Sequence, residues 1–269
     1  MATPVEWRPR GVVGAEAVRR HSPVGRFRPE PPLDALVEHF WTIAWDLRGE
    51  PPRTGETLPH PSVYLVVEAD RSGLSGVNTG RFLRVLEGRG QVAGVKFLPG
   101  CFRPFWKAPV RTLTDQVLPL DTAFGAEGAT LEADVLRCED DAPAAVALLE
   151  AFLLARLPAP DPKAQLARSI VARILEDRDL TQAEAVARDA GLSLRSLQRL
   201  FSDYVGVSPK WVILRYRLHD AMAQLEAGQP VNLPALALAL GFFDQAHFTR
   251  AFRTFLGRTP AGYARNLKH

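Results

Sequence analysis

The side chains in this chain best suited to chemistry are hydrogen-bonding groups rather than catalytic ones. Arg195, Ser196, Gln198 and Arg199 fall on one side of a short helical-period segment, and Gln245, His247, Thr249 and Arg250 do the same in a second such segment further on. Arginine can donate two parallel bonds to guanine O6 and N7, glutamine can pair with adenine N6 and N7, and hydroxyls suit base edges or phosphates. Any one of these residues also fits an ordinary solvated helix face. The doubling of the whole set is what points to recognition.

Two copies of one unit must position these groups. Arg199/Arg250, Phe201/Phe252, Gly206/Gly257, Ser208/Thr259 and Pro209/Pro260 share one offset, so residues 193–209 repeat as 244–260. Upstream, Ala187 and Gly191-Leu192 match Ala237 and Gly241-Phe242, displaced by one residue in the connecting turn. The first copy predicts a helix over 182–190, a glycine stop at Gly191, and a second helix capped by Ser193 with Leu194, Leu197, Leu200, Phe201 and Tyr204 inward. The second predicts a helix over 233–240, a stop at Gly241, and a helix capped by Asp244 with Phe248, Ala251, Phe252 and Phe255 inward. Turns this short force a steep crossing, the geometry of a helix-turn-helix. Between the copies, 210–226 reads as one long helix through Trp211, Leu214, Leu218, Met222 and Leu225, broken by Gly228, Pro230 and Asn232.

Residues 163–267, about 40% of the chain, closely resemble the DNA-binding domain of the AraC/XylS family of bacterial transcription regulators. The match runs through Ala187, Gly191, Leu197, Gln198, Arg199, Phe201, Gly206, Ser208, Pro209, Arg217, Leu218, Ala221 and Leu225. It continues through Ala237, Gly241, Asp244, His247, Phe248, Arg250, Phe252, Gly257, Thr259, Pro260 and Tyr263. The resemblance implies that the first recognition helix reads bases through Arg195, Gln198 and Arg199, and the second through Gln245, Ala246, Thr249 and Arg250. Ala246 departs from the larger polar residues often found there. The two helices would enter successive major-groove segments roughly 34 Å apart, with the long helix as spacer. Implied partners are promoter DNA and, for an activator, RNA polymerase; no cofactor is implied.

Charge is distributed accordingly. The chain of 269 residues carries a net +3. Residues 161–269 hold 15 Lys/Arg against 10 Asp/Glu, while residues 1–160 hold 18 against 20. The basic half is the half with the repeat, as a phosphate-seeking surface requires. No stretch is apolar enough for a membrane span, no signal-peptide core precedes the first domain, and the 2 cysteines fit reduced thiols in the cytoplasm.

The expected fold class is α+β in two domains. Residues 1–157 form a regulatory domain, 158–162 a proline-rich linker, and 163–269 an all-α domain of two helix-turn-helix units joined by the long helix. In the first domain, residues 40–45, 63–67, 81–86, 91–97 and 110–113 read as strands, with Glu87-Gly88-Arg89-Gly90 as a hairpin turn. Helices follow over 129–136 and 142–157, with 120–124 a short turn. This pattern is similar to a cupin-like β-barrel sensor. Such a barrel implies a small-molecule effector pocket, for which Trp41, His60, Tyr64, Lys96, Phe105 and Trp106 are candidates; the same aromatics also fit a packed core. The later helices suit a homodimer interface or packing on the C-terminal half. Histidines 21, 39, 60, 219, 247 and 269 form no H-x-H pair, and no metal site or catalytic constellation is expected. Three functions fit: a DNA-binding regulator controlled by an effector, one controlled by abundance or a protein partner, and, last, a DNA-directed repair enzyme using Cys101.

Overall fold

The computed structural model describes residues 3–6, 11–13, 24–227 and 231–267. Gly228 and Pro230 of the expected helix break, and the histidines at 21 and 269, lie outside the described residues. Seven strands form one antiparallel sheet in the order β1 (Thr3–Pro4), β3 (Val24–Arg28), β4 (Val37–Leu47), β9 (Gly88–Phe97), β6 (Tyr64–Glu68), β7 (Gly73–Ser75) and β10 (Val117–Leu118). A smaller sheet contains β2 (Val12–Val13), β5 (Arg53–Thr57) and β8 (Phe82–Leu86).

Side-chain alternation along the strands gives the large sheet two apolar faces. Phe40, Leu65, Val67, Ala93, Val95 and Phe97 point to one, where helices α1 (Leu120–Phe124), α2 (Ala126–Leu136) and α3 (Ala142–Leu154) add Leu120, Leu131, Val135, Val146 and Leu149 to a single core. Trp45, Leu47 and Val92 cluster on the other, with Trp41, Val66 and Leu86 packed against them. Leu86 comes from the small sheet, which covers this face and adds an Arg84–Glu68 ion pair.

Two local expectations are corrected. Residues 81–97 do not form a hairpin. β8 pairs with β5, Arg53 opposite Leu86, whereas β9 pairs with β4 and β6. Gly88, at φ +58°, lets the chain step from the small sheet into the large one. Glycine-rich turn chemistry specifies a bend but not a partner strand. Residues 110–113 are a 3₁₀ turn rather than a strand. Val110 and Leu113 are both buried, and a turn of three residues brings such a pair to one side.

The C-terminal part contains α4 (Pro162–Glu176), α5 (Ala183–Asp189), α6 (Leu194–Leu200), α7 (Pro209–Glu226), α8 (Leu233–Ala239), α9 (Gln245–Leu256) and α10 (Pro260–Asn266). Ile170, Val186, Leu197, Phe201 and Val212 belong to one core, and Leu218, Met222, Leu236, Phe248, Phe252 and Tyr263 to another. The long helix α7 therefore spans both units, one end in each core. It is buried on more sides than its predicted stripe, because Ile213, Arg215, Tyr216 and His219 are also inside. The N-terminal half covers part of it, through His60 beside Tyr216 and His219 and the Thr79 carbonyl at Arg215. His60 stacks on His219 with ring centres 4.4 Å apart. Val77 is part of the first helical core and Leu58 of the second.

Candidate nucleic-acid interface

α6 and α9 begin alike. The Ser193 hydroxyl accepts from the Ser196 amide at 3.1 Å, and an Asp244 carboxylate oxygen accepts from the His247 amide at 2.6 Å. Each cap satisfies an amide that the first helical turn leaves unpaired. Before them, Gly191 and Gly241 sit at φ +64° and +71°, a left-handed conformation that ends α5 and α8 without a Cβ penalty. Leu197 and Leu200 hold α6 by its inner face, as Phe248, Phe252 and Leu256 hold α9.

The opposite faces carry the sequence-predicted set. Arg195, Ser196, Gln198 and Arg199 are exposed on α6; Gln245, Ala246, His247 and Arg250 are exposed on α9, with Thr249 half-buried. The Ser196 hydroxyl lies 2.8 Å from that of Ser193, so it is shared with the cap. The His247 ring packs edge-on against Phe242 at 5.4 Å. The guanidinium of Arg217 lies 4.0 Å from the centre of the Phe242 ring, and burial draws its pKa down to about 10.

The copies diverge at their far ends. α9 stays regular to Leu256, whereas α6 widens into a π-helical turn over Phe201–Val205. That turn is gripped by the N-terminal half: Arg111 pairs with Asp203 at 3.0 Å, and the Thr114 hydroxyl donates to the Gly206 carbonyl at 2.7 Å. The corresponding end of the second copy is gripped as well. Arg258, just after Gly257, pairs with Glu56, which Arg81 also contacts at 3.1 Å. Arg215 ties the units together. It is fully buried between Trp211 (4.3 Å) and Phe255 of α9 (4.5 Å), and donates to the Thr79 carbonyl at 2.8 Å. Burial lowers its pKa to about 9, with Asp115 opposing. No local sequence signal marks these inter-half contacts, since Glu56, Arg215 and Arg258 read as solvated charges.

The candidate effector residues separate. Trp41 lies opposite Gly94, and Tyr64 and His39 both lie opposite Lys96, placing Trp41, Tyr64 and Lys96 on the face covered by the small sheet. There Glu38 bonds Lys96 at 2.9 Å and Arg26 at 3.2 Å. Burial alone would raise the Glu38 carboxyl; Lys96 and His39 outweigh it and hold the carboxyl well below the usual range. His60 sits at the junction with α7, beside His219 and Tyr216. Phe105 and Trp106 pack against the helix-covered core on the other side of the sheet. A cleft of about 300 Å³ also lies on that side, between the sheet and α2–α3, lined among others by Thr42, Ala44, Gln91, Ala93, Leu136 and Glu139. None of the six candidates lines it.

Cys101 is buried, and desolvation pushes its thiol up to about 11 despite Arg168, which leaves it a poor nucleophile. Among the described residues, no three His, Cys, Asp or Glu side chains gather as metal ligands, and no helix is long and apolar enough to cross a membrane.

The fold and this surface define a protein with a sheet-rich N-terminal half and twin helix-turn-helix units. Comparison with known proteins agrees for the helix-turn-helix part. Residues 186–266 match a family described as "Helix-turn-helix domain", and residues 25–119 match a "Domain of unknown function (DUF6597)". The chain is 37% identical over 81 residues to the HTH-type transcriptional regulator GlxA of Rhizobium meliloti, covering 30% of this chain and 25% of that protein. It is 30% identical over 92 residues to the probable transcription factor PqrA of Proteus vulgaris, covering 34% of this chain and 75% of that one. The chain thus spans about a quarter of the length of the Rhizobium relative. The C-terminal domain of AraT, a response regulator from Geobacillus stearothermophilus, aligns at 23% identity over 39% of this chain and 88% of that one, with a TM-score of 0.36. The chain belongs to the AraC/XylS family of transcription regulators.

Proposed function

We propose that this protein is a sequence-specific transcription regulator that binds promoter DNA in the cytoplasm, with α6 and α9 in successive major-groove segments. The carrying observation is the paired, capped helices whose exposed faces hold Arg195, Gln198, Arg199, Gln245 and Arg250 while their inner faces are locked in two cores. Residues 163–269 form the DNA-binding part and 1–157 the regulatory part, joined by the segment 158–162. The regulatory part acts by holding both helix-turn-helix units, and a small-molecule effector bound within it alters that hold. A coupling of ~1–3 kcal/mol between effector and DNA is enough for a useful switch.

The test is a binding titration on a DNA site enriched from random sequence by the full chain, with and without a small-molecule extract. Gln198→Ala and Arg250→Ala should each weaken binding by about 1–3 kcal/mol and relax base preference in one half of the site. Equal losses on scrambled DNA would reassign these residues to phosphate contact. An extract that never changes affinity would favour control by abundance or by a protein partner.

A further inference from the structure

We propose that the second helix-turn-helix unit reads DNA chiefly through thymine methyl groups, contacted by Phe243, Ala246 and Thr249. The inference rests on the DNA-binding reading above and assigns its second half a different chemistry from its first.

The two copies differ by one residue in the turn. Between the stop glycine and the helix cap, the first has Leu192 alone, and the second has Phe242 and Phe243. Phe242 fills the buried role, at 3% exposure, with its ring 5.1 Å from that of Phe248. Phe243 is left at 86% exposure, the most exposed large apolar side chain among the described residues. It directly precedes the cap Asp244, at the end of α9 where base-reading residues begin. Burying an aromatic ring gains more than leaving it in water, so a ring left this open suits a surface that a partner covers.

The helix continues the theme. Where the first copy has Arg195 and Gln198, the second has Ala246 and Thr249. Two strong hydrogen-bonding side chains are thus replaced by two that present methyl groups. Ala246 and Thr249 stand three residues apart, neighbours along one face of α9, and Phe243 lies just before its cap. In the major groove the apolar group on a base edge is the C5 methyl of thymine, and Phe, Ala and the Thr methyl are its usual contacts. Gln245 and Arg250, exposed beside this stripe, remain for an adenine and a guanine or phosphate. Ala246, smaller than the polar residues often found at its position, thus belongs to the apolar half of the reading set.

Thymine-to-uracil replacement removes the methyl and leaves base pairing intact, so it isolates this contact. On a site enriched from random DNA by the full chain, uracil at single thymines in the second half should weaken wild-type binding about fourfold per contacted methyl, and uracil in the first half should not. Phe243→Ser should bind the thymine site more weakly and lose part of its discrimination between thymine and uracil. Arg199→Ala should lose affinity through the first half yet keep the uracil penalty. A wild type indifferent to uracil throughout the second half, or a Phe243→Ser variant with the full penalty, overturns the inference while leaving DNA reading standing. A wild type that enriches no sequence overturns both.

Discussion

At the scale of residues, Glu38 shows how a single carboxylate couples the N-terminal half to pH. Its ordinary pKa is 4.5, and in the folded chain it is lower: burial opposes ionisation, but Lys96 and His39 more than compensate. His39 is lowered from 6.5, because burial outweighs the attraction of Glu38. Both shifts act in the same direction. As pH falls through 6.5 the unfolded chain takes up a proton on His39 before the folded chain does, and below 4.5 the same holds for Glu38. Stability should therefore be fully present at neutral pH and decline on acidification. Glu38→Gln removes the carboxylate that bonds Lys96 and Arg26, so the variant should be less stable at pH 7 and show a shallower decline between about pH 5 and 3. Urea unfolding midpoints across this range measure it; parallel wild-type and variant curves would remove Glu38 from the account.

At the scale of elements, the stop glycine Gly191 and the post-helix glycine Gly206 separate backbone strain from packing. Gly191 is at φ +64° with nothing within 4 Å of an added Cβ. Gly206 is at φ +93°, and its Cβ would lie 3.1 Å from Val110 Cγ1 and 3.2 Å from the Thr114 hydroxyl, both of the N-terminal half. Gly191→Ala should cost about 1 kcal/mol through backbone strain alone, and Gly206→Ala more, roughly 2–3 kcal/mol, since it also pushes the halves apart. Thermal unfolding of the two variants checks the order; equal costs would mean that the Gly206 turn is not held against the sheet half. These elements also show what was legible. The glycines, the Ser193 and Asp244 caps and the inward Leu and Phe stripes are local signals, each tied to one backbone conformation, so the helical units can be read directly from sequence. Strand partners are not local. Glu87-Gly88-Arg89-Gly90 announces a bend, yet Leu86 finds Arg53 and Gly88 finds Leu47. Phe243 was visible only as a one-residue displacement of the repeat, and its exposure decides its meaning.

At the scale of the whole molecule, the N-terminal half reaches the far ends of both α6 and α9 at equivalent points. Thr114 and Arg111 hold the turn after α6, while Glu56 holds Arg258 after α9. Leu58 and Val77 extend the same relation into the interior, each completing the core of one helical unit. Sequence could not display this, because Leu58 lies far from Leu218 and Phe252 along the chain and resembles any loop leucine. The two holds are spatially distinct, so they should fail separately. Leu58→Ala removes a fully buried side chain and should destabilise by about 2–5 kcal/mol. The loss should appear first in the second unit, as faster amide exchange in α8, α9 and α10, with α5 and α6 little changed. Arg258→Ala leaves Glu56 buried with Arg81 as its cationic partner among the described residues and should produce the same pattern more weakly. Hydrogen exchange on the full chain resolves the two units. Uniformly faster exchange in both would mean that the sheet half and the helical units open as one body.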